Sequence, residues 1–232
     1  MSIRNEEELK EKIKKILKSA EATLEKLKRI SADNFLFDGK FGKLGTKLSD
    51  NNLQEDLGEQ VQQSMTILMT CYAVDWLNRN TSCQYPFETN EAEINGADIF
   101  KEGKMTCEVF TSTDPKNNEK IYHDLNAVAI KSEEAKYVFY CSPADKKFSP
   151  GKKKQHSSST YHFDITDIRW DSESEIYVSG KYIPTKKKKS QEEISYKEKK
   201  VTLIHITPCE LHQWVNKILS TSSGVSGLSS ED

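Results

Sequence analysis

The chain has 232 residues, 35% of them hydrophobic, which is enough to bury a core and excludes disorder over the whole length. Its 34 Lys plus Arg stand against 36 Asp plus Glu, so a formal charge of −2 and a pI of about 6.3 say nothing for or against a nucleic-acid partner until the positions of the basic residues are known. The most apolar stretch, Met65 to Leu77, is too short and too often interrupted by polar residues to span a bilayer, so no membrane association is expected.

The N-terminal segment opens on a charged helical pattern rather than a basic-then-apolar leader, and secretion is not expected. Leu9, Ile13, Ile16, Ala20, Leu24, Leu27 and Ile30 recur at spacings of three and four, which predicts one amphipathic helix over residues 5–31. It reads as a helix packed on its own domain or as a dimerisation arm. Residues 37–50 hold Gly39, Gly42 and Gly45 among lysines and read as a loop; the order of a phosphate-cradling GxxxxGK[ST] loop is absent. A second helix is expected over 52–80, with Leu57, Val61, Met65, Leu68, Tyr72 and Trp76 on its stripe.

The period then changes to two. Residues 97–101, a turn at Glu102 and Gly103, and residues 104–112 read as a β-hairpin. Residues 117–131 return to helical spacing, and 136–141 (KYVFYC) suit a buried strand, so the strand–helix–strand order predicts partly parallel pairing. Further strands are expected at 161–170, 176–183 and 201–206, and a closing helix at 208–219. Lysine-rich loops at 146–156 and 186–189 interrupt this half, and the Ser/Gly-rich residues 220–232 are expected to be a disordered tail. The expected organisation is a single domain over 1–219: N-terminal helix and basic loop (1–51), motif-bearing core (52–142), and β-rich elaboration with closing helix (143–219). The fold class is α/β, a mixed central sheet flanked by helices, with a long N-terminal helix and a β-rich C-terminal half.

Five cysteines, Cys71, Cys83, Cys107, Cys141 and Cys209, lie far apart with no CxxC pair, which fits reduced thiols in a cytoplasmic protein and gives no structural zinc site. The histidines His123, His156, His162, His205 and His212 form neither HExxH nor a close HxH pair, and no GxSxG elbow is present.

The chemistry lies in residues 95–125, NGADIFKEGKMTCEVFTSTDPKNNEKIYHDL. Strand alternation puts Thr106, Glu108 and Phe110 on one face and Met105, Cys107 and Val109 on the other. A hairpin turning at Glu102 and Gly103 brings Asp98 close to Glu108. Two converging carboxylates suit Mg²⁺, which prefers oxygen ligands and retains several waters, with Mn²⁺ as a substitute. The bland alternatives are a solvated edge-strand Glu108 and an Asp98 that only terminates its strand.

A strand Asp, a turn and a Glu ten residues later, followed by a helix and a buried strand, resembles the PD-(D/E)xK nuclease superfamily, which includes many restriction endonucleases. The likeness covers about residues 53–142. Phe110 stands where the family's motif has its lysine, and Ala97 where it has its proline. Some members carry the lysine on the neighbouring helix, and Lys120 is the matching residue here, with Asp124 one turn on; the plain alternative is an i,i+4 surface pair. The resemblance also implies a Glu on the preceding helix, for which Glu59 matches first and Glu55 second, unless it is a surface glutamate. It implies Asp98 and Glu108 as Mg²⁺ ligands and Asp98, Glu108 and Lys120 as the catalytic set.

Asn117 and Asn118 would cap the helix or contact a phosphate, and Lys152, Lys153 and Lys154 would contact nucleic-acid phosphates or stand as a solvated insertion. Tyr161, His162 and Trp170 read as strand-core aromatics or base contacts. The expected function is metal-dependent hydrolysis of DNA phosphodiesters, similar to a type II restriction endonuclease, with homodimerisation if both strands of a palindrome are cut. RNA stays open as a substrate. The rival expectation is an inactive module of the same fold that binds nucleic acid or a protein partner.

Overall fold

The first element of any length begins where Asn5 accepts a hydrogen bond from the Glu8 amide, followed by Glu6, Glu7 and Glu8 at the positive end of the helix dipole. This helix, α1 (Glu6–Leu27), follows a two-residue strand, β1 (Ser2–Ile3). The computed structural model describes residues 2–42, 44–46, 54–90, 97–115, 120–148, 154–157, 161–170, 175–184 and 194–221; it gives the backbone alone for Asp33, Leu36, Lys40, Phe41, 154–157, 161–168, 170, 180–184 and 194–198.

Leu9, Ile13 and Ile16 are buried as the spacing predicts, but the stripe then departs from expectation. Leu24 is 53% exposed, while Ser19 and Thr23 are buried. Polar partners explain the rotation: Ser19 donates to the Thr46 carbonyl (2.7 Å) and Thr23 to Gln60 Oε1 (2.7 Å), so the hydroxyls are satisfied where apolar packing was expected. The loop expected over 37–50 is corrected in part. Residues Ala32–Phe41 form helix α2, because one interior glycine, Gly39, costs only about 1 kcal/mol and does not break a helix. Beyond it, β2 (Gly45–Thr46) pairs with β3 (Gln54–Glu55) in a separate two-stranded sheet.

Helix α3 (Leu57–Asn80) starts at Asp56, whose carboxylate accepts from the Glu59 amide, five residues later than the spacing predicts. Met65, Leu68, Tyr72 and Trp76 pack against the core, but Val61 is 56% exposed and Gln60 takes the buried place.

The remaining strands are β4 (Phe87–Thr89), β5 (Ile99–Lys101), β6 (Met105–Thr111), β7 (Ala135–Cys141), β8 (Lys154–Ser157), β9 (Tyr161–Trp170), β10 (Glu175–Pro184) and β11 (Ile194–Ile206). With β1 they form one nine-stranded mixed sheet in the order β1-β4-β5-β6-β7-β11-β10-β9-β8. The expected lysine-rich loop over 146–156 is interrupted by β8, which pairs antiparallel with β9. Helix α4 (Lys120–Ala129) connects β6 to β7, which run parallel as its strand–helix–strand order requires, and β11 joins β7 in parallel as well. Helix α5 (Pro208–Ser220) starts on a capping box between Thr207 and Glu210.

The sheet divides two cores. On one face α1, α3 and α5 pack Leu9, Ile13, Met69, Val74, Leu211 and Val215 onto Met105, Cys107, Val109 and Phe139. On the other, α4 packs Ile121, Leu125 and Val128 onto Phe110, Val138, Tyr140 and Leu203. Residues Thr106, Glu108 and Phe110 therefore lie on the α4 face.

The β5–β6 hairpin sets what that face displays. Ile99 pairs with Cys107, Phe100 with Thr106 and Lys101 with Met105, across a turn in which Gly103 has φ of 67°. A Cβ there would meet nothing within 4 Å, so the cost of replacing this glycine is conformational alone. Gly103→Ala should lower the stability of the chain by about 1 kcal/mol in urea denaturation, the usual penalty of a left-handed backbone for an L side chain. An unchanged midpoint would show that the turn tolerates another conformation.

Candidate active site

Strand β5 is only three residues long, so the Val109 amide of the longer β6 has no strand partner on that side. Asp98, immediately before β5, supplies one: its Oδ2 accepts from Val109 N at 2.7 Å. The same position places the Asp98 carboxyl against Glu108, and the two side chains are hydrogen-bonded to each other.

Burial governs the electrostatics. It pushes Glu108 up to about 9, with the Asp98 and Asp124 charges and the hydrogen bond to Asp98 adding to the rise. Burial also raises Asp98, against the Val109 amide, the Glu108 proton and Lys120, which favour its ionised form. At neutral pH Glu108 therefore keeps its proton.

Helix α4 brings the cation. Lys120 Nζ lies 2.6 Å from Asp124 Oδ1, and 5.8 Å from the centroid of the Phe110 ring. Its side chain is half exposed while that of Asp124 is 5% exposed. Desolvation pulls the lysine down, but Asp124, Glu108 and Asp98 together outweigh it and hold Lys120 above its ordinary value. A lysine held there stays charged at neutral pH: it can orient and stabilise anions, but it is not a base. Burial likewise raises Asp124 to about 6 despite the ion pair, and its Oδ2 is buried with no hydrogen-bond partner.

The structure thus brings together Asp98, Glu108 and Lys120, and adds Asp124 as a third buried carboxylate, which the sequence offers only as a helix pairing partner. The signal for it is present, since Asp124 adjoins the core residue Leu125 on the helix that packs Ile121 and Val128 into the core. Glu59 is not brought to this place. It is exposed in the first turn of α3, where its Oε1 accepts from Gln63, and α3 packs on the opposite face of the sheet from Glu108. Asn117, Asn118, Lys152 and Lys153 lie outside the described residues, as do the side chains of Lys154, Tyr161, His162 and Trp170. Phe110 is buried and its ring stacks on Tyr140, 5.7 Å between centroids.

Among the described residues no group of three or more His, Cys, Asp or Glu side chains is arranged to hold a metal ion. Asp98 and Glu108 offer carboxylate oxygens, the donor type that Mg²⁺ takes from one or two carboxylates while it keeps its waters. Compared with family models, with curated proteins and with solved structures, the chain gives no match. No helix among the described residues is long and apolar enough to cross a membrane.

Asp124 gives a pH signature. Its carboxyl has an ordinary value of 3.8 and stands at about 6 in the folded chain, so between those values the native state keeps a proton that the unfolded state releases. Stability attributable to this group falls as pH rises across that interval and is level above it. In urea denaturation with EDTA, wild type should lose more stability than Asp124→Asn between about pH 4 and 6. Parallel curves would contradict a buried, raised Asp124.

Proposed function

We propose that the chain is a metal-dependent endonuclease that hydrolyses DNA phosphodiester bonds, with a nuclease core of the PD-(D/E)xK kind. The observation that carries this reading is the hydrogen-bonded Asp98–Glu108 pair on one sheet face with the Lys120 ammonium beside it. Asp98 and Glu108 hold Mg²⁺, or Mn²⁺ in its place. When bound, such an ion lowers the pKa of its water and stabilises charge on the phosphate.

The chain's own groups do the rest. Asp98 is anchored by the Val109 amide, so one carboxylate has a fixed orientation before any ligand arrives. Lys120, permanently charged, donates to a non-bridging phosphate oxygen and offsets the charge that builds there as water attacks. Asp124 holds the lysine in place from one turn below and is a positioning residue. The Phe110 ring beneath the ammonium supplies the floor that the usual motif lysine would otherwise occupy.

Phe110 also favours a second reading. Its ring is committed to the core through Tyr140 and cannot deliver a cation, as expected of a nuclease fold that has lost catalysis and only binds nucleic acid. Plasmid cleavage separates the two. With Mg²⁺ or Mn²⁺, wild type should nick or linearise DNA, EDTA should stop it, and Lys120→Ala should slow it about 100-fold or more, as removal of a preorganised charge donor does. Glu108→Ala should abolish cutting. Absence of cleavage of duplex DNA, single-stranded DNA and RNA, alongside salt-sensitive binding that survives Glu108→Ala, would replace the enzyme by the binding module.

A further inference from the structure

On the α4 face, next to the carboxylate pair, the sheet carries a cavity of about 300 Å³ that the hydrolytic chemistry does not use. Ala97, the residue before Asp98, lines it together with Phe100, Thr106, Glu88, Lys131 and Glu133. The register explains the placement. Glu88 pairs with Phe100 and Phe100 with Thr106, so these three form a row across β4, β5 and β6. That row lies two residues along the strands from Asp98 and Glu108, about 7 Å away on the same face.

Two buried polar atoms lack a partner there. Thr106 is fully buried and its Oγ1 makes no hydrogen bond, and Glu133 Oε2 is buried without one. An unpaired buried hydroxyl on a central strand is a destabilising choice that valine would avoid at the same volume. The cavity has one aromatic wall, Phe100, the hydroxyl residues Thr89 and Thr106, the Asn90 carboxamide, the Lys131 ammonium, and the carboxylates of Glu88 and Glu133 that can accept. Those carboxylates repel a phosphate and match the exocyclic amine of a base, as Glu does when it accepts from cytosine N4.

We propose that this cavity is a base-binding subsite that takes one unpaired, amino-bearing nucleobase, with cytosine the best match. Phe100 stacks on the ring, Glu133 accepts from the exocyclic amine, and Thr106 and Lys131 donate to the ring carbonyl. The phosphate of the same nucleotide then falls toward Lys120 and the carboxylate pair. A base can enter only where it is unstacked, so the favoured substrate is single-stranded or locally opened DNA. This inference rests on the nuclease reading for its substrate, but its test does not depend on turnover.

The test is equilibrium binding by fluorescence anisotropy in EDTA, using labelled oligonucleotides of equal length made of deoxycytidine, of thymidine or of abasic units. Wild type should bind the cytosine strand about tenfold more tightly than the thymine strand, and the abasic strand least. Phe100→Ala should cost the cytosine strand about tenfold and leave the abasic strand unchanged. Glu133→Gln should erase the preference for cytosine over thymine. Thr106→Val should weaken cytosine binding while the melting temperature holds or rises, which a purely structural threonine would not do.

Equal affinity for the cytosine and thymine strands, or a cytosine preference untouched by Phe100→Ala and Glu133→Gln, would overturn the subsite. Base preference without cleavage in Mg²⁺ would support the subsite and retire the nuclease, whereas cleavage without base preference would do the reverse.

Discussion

The structure turns on two carboxyl groups that a short hairpin forces together. Register across the β5–β6 turn fixes Asp98 opposite Glu108, and the Val109 amide, left unpaired by the brevity of β5, draws the Asp98 carboxylate inward. Burial opposes ionisation of both acids more strongly than the Lys120 charge favours it, and Glu108 is pushed up to about 9. That arrangement is costly for a protein to maintain as a purely structural feature. It is economical if the missing charge is supplied by a ligand.

The two faces of the sheet share the work of stability and chemistry. Three helices cover one face with an apolar core through Met105, Cys107 and Val109. On the other face, among the described residues, the ten-residue helix α4 serves both ends: Ile121, Leu125 and Val128 hold it down, while Lys120 and Asp124, one turn apart, lie near enough to act on Glu108 electrostatically. Because the core residues and the charged residues share one helix, the lysine inherits its position from packing. Strand β6 does the same in the other direction, alternating core and site residues with its period of two.

Much of this is legible in the sequence because it rests on short-range pattern. The hairpin, α4, β7 and their parallel pairing follow from periodicity and a Gly-bearing turn, and the approach of Asp98 to Glu108 follows from the hairpin. What is not legible depends on tertiary partners. Ser19 and Thr23 are buried because Thr46 and Gln60 meet them, which no local pattern announces. Helix α2 is hidden by its glycine, and the strands β1 and β4 are too short to show a period. Glu59 has the right residue type ahead of the hairpin, but the helix that carries it packs on the far face. That Thr106 and Glu133 carry unpaired buried atoms is not legible in the sequence, because this is a property of the fold, not of composition.

The proposed nuclease requires Asp98 and Glu108 to bind a divalent cation together. The most direct measurement is Mn²⁺ binding followed by electron paramagnetic resonance of the free ion, on wild type and on Asp98→Asn and Glu108→Gln with folding checked by circular dichroism. Wild type should show saturable binding that Mg²⁺ displaces and that both variants lose while remaining folded. No saturable binding by wild type, or binding that survives in either folded variant, would contradict it.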